Sequence, residues 1–275
     1  MINDLLKREK AQIDKALGDF LLQENFKPPL HEMLSYPLLS PGKRLRPILV
    51  LWGCESLGGK REEALKPACG VECLHVFSLV HDDLPGMDNS DIRWGKPTAH
   101  KVFGEGKAVL IGDALLLLGI KWISEGLKNS GVVDSLSILC ELAQMVGPAG
   151  LVGGQFDDIS GGARTLDDWL NIYERKTSRL FQFSLLLGGT IGGGGEKELN
   201  ILKEFGKYLG IAFQLGDDLL DLSKEEPSIP REFGVEVAKK LEKGYIEKAV
   251  SAMSDFSGAR EKLISFAEYI GQRNE

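Results

Sequence analysis

Residues 72–88 read Glu72-Cys73-Leu74-His75-Val76-Phe77-Ser78-Leu79-Val80-His81-Asp82-Asp83-Leu84-Pro85-Gly86-Met87-Asp88. A mostly apolar helical run closes on two adjacent carboxylates, a Pro-Gly break and a third carboxylate. Asp91 and Arg93 follow, and Gly112-Asp113 stands at the head of another apolar run. On an ideal helix, positions 82 and 88 lie about 240° apart and share no face. Pro85 cannot continue helical hydrogen bonding and Gly86 admits unusual dihedrals, so the backbone is free to bend Asp88 back towards Asp82. Such a cluster is either a solvated helix end or a seat for a hard divalent cation. Mg²⁺ favours a few carboxylates plus phosphate oxygens over a closed protein cage.

A second cluster shifts the balance towards metal. Phe213-Gln214-Leu215-Gly216-Asp217-Asp218-Leu219-Leu220-Asp221 again closes an apolar helical run with carboxylates. Asp217 and Asp221 are one helical turn apart on one face, and their mutual repulsion is relieved by a bound cation. Two clusters of this kind read as opposing walls of one cavity for metal and diphosphate.

The rest of the chain sets the frame. At 275 residues and 43% hydrophobic content, it can bury the core of one large domain, residues 1–275. A formal net charge of −7 disfavours a nucleic-acid partner. Cys54, Cys69, Cys73 and Cys140 fall in apolar helical patterns and lack the Cys/His company of a zinc site, so they read as buried free thiols. No signal-peptide core opens the sequence, and the longest apolar run, 108–123, is interrupted by Asp113 and Lys121. The expectation is a soluble, cytoplasmic chain with no membrane span. Helical periodicity covers 2–22, 43–57, 61–83, 107–128, 132–153, 166–189, 197–222, 231–254 and 258–271. Loops are expected at Lys27-Pro28-Pro29, Ser40-Pro41-Gly42, Gly58-Gly59, Gly153-Gly154, Gly161-Gly162, Gly192–Gly195, and at Pro227 and Pro230. The predicted fold is all-α: a single-domain antiparallel helix bundle with a central cavity.

Asp-Asp-x4-Asp at 82–88 and Asp-Asp-x2-Asp at 217–221 resemble the two aspartate-rich motifs of the trans-isoprenyl diphosphate synthases, or polyprenyl synthetases. Gly42-Lys43-Arg44-Leu45-Arg46-Pro47 and Lys176-Thr177 match further family motifs. The resemblance runs from about residue 40 to 222, with four motifs in the family's order. It implies a short-chain prenyltransferase that condenses isopentenyl diphosphate head to tail with an allylic diphosphate. Lys43, Arg46 and His75 would then bind isopentenyl diphosphate, although His75 alone reads as a core histidine. Asp82, Asp83 and Asp88, with Asp217, Asp218 and Asp221, would carry Mg²⁺, three ions once diphosphate is bound. Arg93, Lys176 and Thr177 would meet the allylic diphosphate, with Gln155 and Gln214 near the allylic pocket; Asp157 and Asp158 read as solvated loop charges. Diphosphate leaves only if its growing charge is stabilised. The allylic cation must be kept from water, and the resemblance implies that the released diphosphate would take the final proton.

Phe77 lies five residues before Asp82, about 7.5 Å along the helix axis. By resemblance an aromatic there is the floor that ends growth at farnesyl, ahead of geranyl or geranylgeranyl. A homodimer is the family expectation. Two departures stand out. Trp94 occupies the position of an arginine expected to contact isopentenyl diphosphate, and the segment after Asp221 is short, with Lys224 flanked by Glu225 and Glu226. These departures keep a terpene-cyclase-like chemistry and a non-catalytic regulatory subunit as alternatives.

Overall fold

Helices account for nearly all regular structure in the computed structural model, which describes residues 2–223 and 227–273. The all-α expectation is met by a mostly antiparallel helix bundle. The chain divides into two compact units, one of residues 3–51 and 61–135, the other of residues 52–60 and 136–273.

In the first unit, α1 (Ile2–Gln23) buries Ile13, Leu17 and Leu21 at successive turns of one face. Helix α2 (Pro28–Leu38) occupies a stretch expected to be loop. Pro28 and Pro29 stand at the first helical positions, where a missing N–H leaves no hydrogen bond unmade. Helix α3 (Leu45–Ser56) contributes its first half to this unit. Helix α4 (Arg61–Asp82) is buried on most sides, from Ala64 through Val80, as its weak polar patterning requires. It packs against α6 (Glu105–Asn129), which begins well before Gly112-Asp113. At the closest approach a Cβ on Gly70 would lie 2.8 Å from the Gly119 carbonyl oxygen, so bare backbone is required there.

Between α4 and α6 come β1 (Ile92–Arg93), β2 (Lys96–Pro97) and α5 (Ala99–Phe103). The strands pair Ile92 with Pro97 and Arg93 with Lys96. Trp94 and Gly95 connect them with φ of 51° and 76°. A two-residue turn with both φ positive matches the natural twist of a hairpin.

In the second unit, the stretch expected as one helix over 132–153 is two, α7 (Ser135–Val146) and α8 (Leu151–Ile159). Residues 135–159 are apolar enough by composition to suggest a membrane span. The break at 147–150 leaves helices of 12 and 9 residues, against the about 20 residues a bilayer core demands. A capping box between Thr165 and Asp168 starts α9 (Leu166–Ile172). A π-helix (Tyr173–Ser178) and α10 (Arg179–Ile191) follow without interruption. Next come α11 (Glu196–Leu220), α12 (Ile229–Phe233), α13 (Val235–Ala252) and α14 (Glu261–Gly271). Trp169, Ile172, Tyr173, Ile211, Leu215, Ile229 and Ala238 form one cluster tying α9 and the π-helix to α11, α12 and α13. Each fully buried leucine or isoleucine in it contributes about 1.5–3 kcal/mol by leaving water. No disulfide joins the cysteines among the described residues: Cys54, Cys69 and Cys73 are buried as expected, whereas Cys140 is exposed.

Candidate active site

The first aspartate cluster sits where α4 ends. The Asp88 amide donates to the Asp82 carbonyl at 2.8 Å, and Met87 and Asn89 donate to Leu84 at 2.9 and 3.1 Å. The Pro85-Gly86 turn therefore folds Asp88 back beside Asp82. Asp88 is exposed and Asp82 half-buried. Asp83 differs. It is buried, and Arg93 Nε donates to both its oxygens at 2.8 and 3.0 Å. Burial raises the Asp83 carboxyl above its usual range, and the Arg93 fork opposes that shift. Asp83 thus fixes Arg93, while Asp82 and Asp88 are the more solvent-accessible carboxylates of the cluster.

The anion-binding candidates of this unit are organised by α4 as well. Arg44, which stands between Lys43 and Arg46 in the Gly42–Pro47 motif, points inward. It has φ of 56° and donates to Glu72 at 2.6 Å, Asp14 at 2.7 Å, and the Leu38 and Ser40 carbonyls at 3.0 and 2.7 Å. Breaking a buried ion pair of this kind by removing one partner costs about 3–5 kcal/mol. The bonds hold the turn that leaves Lys43 exposed and sends Arg46 to His75, with Arg46 Nη1 donating to His75 Nε2 at 3.2 Å. The packed surroundings of His75 and the neighbouring Arg46 charge push its imidazole well below the usual value. It is therefore neutral and accepts from Arg46. Phe77 is buried and meets His81 edge-on at 5.9 Å between ring centres. Trp94 is partly exposed and lines a cleft of about 20 Å³ with Tyr36, Val80, Asp83 and Pro97.

In the second unit, the π-helix carries both Lys176 and Thr177. A π-turn inside a longer helix commonly marks a functional site, because it shifts side chains out of α-register. Lys176 pairs with Asp158 at 2.5 Å, and Arg175 pairs with Asp157. This corrects the reading of Asp157 and Asp158 as solvated loop charges, since both lie on α8 beside the π-helix. The close packing depends on Gly154, where a Cβ would lie 2.4 Å from the Lys176 amide nitrogen. Gln155, next to it, is buried with neither amide atom hydrogen-bonded among the described residues.

Thr177 Oγ1 donates to Gln214 Oε1 at 2.7 Å, and Gln214 Nε2 donates to Asp218 Oδ1 at 2.8 Å. The other Asp218 oxygen accepts from the Tyr173 hydroxyl. Burial, first of all, pushes the Asp218 carboxyl up to about 6. The Asp221 amide donates to the Asp217 carbonyl at 3.0 Å, one turn back, where Asp221 caps the end of α11. The sequence reading missed Arg273. Its Nη1 donates to Asp217 at 3.1 Å while its guanidinium lies 4.5 Å above the Phe213 ring. A lone arginine beyond the last helix carries no pattern that would have singled it out. Lys224, in the short segment after Asp221, lies outside the described residues.

Among the described residues, no three acidic, histidine or cysteine side chains converge as a metal cage. The carboxylates of Asp82 and Asp88, and of Asp217 and Asp221, are the hard oxygen donors that Mg²⁺ accepts, with its remaining positions left to water and phosphate.

Comparison with known proteins identifies the company this chain keeps. Residues 27–252 match the polyprenyl synthetase family model. A chloroplastic geranylgeranyl pyrophosphate synthase of Capsicum annuum is 38% identical over 97% of this chain and 77% of its own. A farnesyl diphosphate synthase of Geobacillus stearothermophilus is 36% identical over 95% of this chain and 87% of its own. The crystal structure of an FPP/GFPP synthase from Zymomonas mobilis superposes with a TM-score of 0.87 at 33% identity, covering 98% of this chain and all of the other. The expected cytoplasmic location is overturned by these comparisons, because the plant relatives are predominantly chloroplast proteins. Cellular address is written in targeting segments and not in the fold, so the helical pattern held no basis for that expectation.

Proposed function

The chain belongs to the polyprenyl synthetase family, and from that premise we propose how its residues divide the work. It is a transferase performing the head-to-tail prenyl condensation of the farnesyl and geranylgeranyl synthases. Within that reaction, Asp82 and Asp88 in the first motif, and Asp217 with Asp221 in the second, are the residues that would hold Mg²⁺. The observation that supports this assignment is the Asp88-to-Asp82 backbone bond, which brings together the main chain of two aspartates that a helix would separate. Mg²⁺, when bound, supplies electrostatic stabilisation of the leaving diphosphate.

The chain's own residues do the rest. Arg93, aimed by buried Asp83, and Lys176 donate charge-assisted hydrogen bonds to the allylic diphosphate. Lys43, Arg46 and neutral His75 bind isopentenyl diphosphate. Buried side chains around Phe77 exclude water from the allylic cation. Leu110 and Leu117, exposed on one face of α6, support a homodimer as part of this reading.

For product length, the comparisons weigh more heavily towards geranylgeranyl than towards the farnesyl product expected from sequence. Geranylgeranyl is therefore the product proposed. Buried Phe77 is the observation that favours farnesyl as the second reading. Purified protein with Mg²⁺, isopentenyl diphosphate and geranyl diphosphate, analysed by mass spectrometry, decides between them. A geranylgeranyl product supports the first reading. Farnesyl product that lengthens in Phe77→Ala supports the second. Cyclised product, or no product from folded protein, refutes the condensation itself.

A further inference from the structure

The segment after Asp221 is shorter than the family pattern, and the same region contains a hydrogen-bonded bridge that the assigned roles leave unused. Tyr173, the first residue of the π-helix, is buried. Its hydroxyl donates to Asp218 on α11 and accepts from the Ile229 amide at 3.1 Å, at the start of α12. One oxygen thereby joins three elements. Gln214, one turn before Asp218, takes the remaining Asp218 oxygen at 2.8 Å and is itself bonded by Thr177 at 2.7 Å. Both Asp218 oxygens are thus engaged inside the protein, whereas neighbouring Asp217 accepts from Arg273 at 3.1 Å and Asp221 is exposed.

We propose that Tyr173 is a positioning residue: through Asp218 it fixes the end of α11 that carries Asp217 and Asp221, and through Ile229 it anchors the far side of the short connection. Asp218 belongs to this bridge and is not a metal ligand. The inference rests on the reading of Asp217 and Asp221 as the Mg²⁺ carboxylates. The chemistry favours the bridge. A carboxylate accepting from a phenol and an amide is satisfied in a buried setting, and removing one donor leaves it unpaired. The fixed end of a helix also keeps two like charges stacked at the spacing a shared cation needs.

Two measurements on the full-length protein test this. In metal-free protein, hydrogen exchange of peptides covering 229–233 reports the anchor, and Tyr173→Phe should speed that exchange about ten-fold. Calorimetric titration with inorganic diphosphate and Mg²⁺ reports the seat. Asp217→Asn should abolish most of the Mg²⁺-dependent affinity and Tyr173→Phe should weaken it about ten-fold. Asp218→Asn, which still accepts from Tyr173, should lose less than about three-fold. Unchanged exchange in Tyr173→Phe overturns the anchor. Asp218→Asn as damaging as Asp217→Asn makes Asp218 a ligand and overturns the positioning role. Wild-type protein that binds no Mg²⁺-diphosphate overturns the metal reading and the positioning role with it, while the exchange data still decide the anchor.

Discussion

His75 shows how much one residue's surroundings can change its meaning. From sequence it is a core histidine or a phosphate ligand; in the fold it is neutral, accepting from Arg46 at 3.2 Å. Its imidazole is held well below the ordinary value of 6.5 by burial and then by Arg46. Below pH 6.5 the unfolded chain takes up a proton that the folded chain refuses. Stability present above that pH is therefore lost as pH falls towards the lower folded value, at up to about 1.4 kcal/mol per pH unit. Denaturant unfolding between pH 7 and 5 should show the decline, and His75→Gln should flatten it; an equally steep decline in the variant would locate the effect elsewhere. Arg44 makes the complementary point. The motif Gly42–Pro47 announced three cations, but only burial and a positive φ reveal that Arg44 faces Glu72 and Asp14 while Lys43 is exposed. Spacing could not distinguish them, because all three are basic residues on one turn.

Among the elements, the apolar helices were the legible part. Helices α1, α4, α11 and α14 begin and end within a few residues of their periodic patterns, since an amphipathic or wholly buried run admits little else. Illegible were the helix opening on Pro28-Pro29, the break at 147–150 and the π-helix. Prolines serve both loops and first turns, and a π-turn is set by packing against α8 and α11. Gly154 carries that packing. Gly154→Ala should push α8 from the π-helix, destabilise the protein by about 1–3 kcal/mol and lower turnover, as thermal melting with steady-state rates would show. A stable variant with full activity would remove Gly154 from the account. The hairpin offers a second test at this scale. Trp94→Arg keeps a bulky residue at φ of 51° and adds the cation that the family places there. The expected result is a KM for isopentenyl diphosphate lowered about ten-fold, the worth of one charge-assisted contact. An unchanged KM would mean that the site manages without it.

For the whole molecule, fold and family were readable because four motifs recur in order along one chain. The aspartate motifs also named their own helix ends. What resisted reading was anything set by another surface or another sequence: product length, cellular address and association. The exposed pair Leu110 and Leu117 gives the last of these a handle. Leu117→Glu should convert a dimer to monomer in sedimentation equilibrium, whereas a wild-type monomer would reject the homodimer outright.

The most direct test of the central claim is the rate of condensation of isopentenyl diphosphate with geranyl diphosphate, for wild type and for Asp82→Asn, with Mg²⁺ and with a chelator. The account predicts turnover by the wild type only with Mg²⁺, and a loss of about a hundred- to a thousand-fold in Asp82→Asn. Condensation that survives chelation, or an Asp82→Asn variant as fast as wild type, would contradict it.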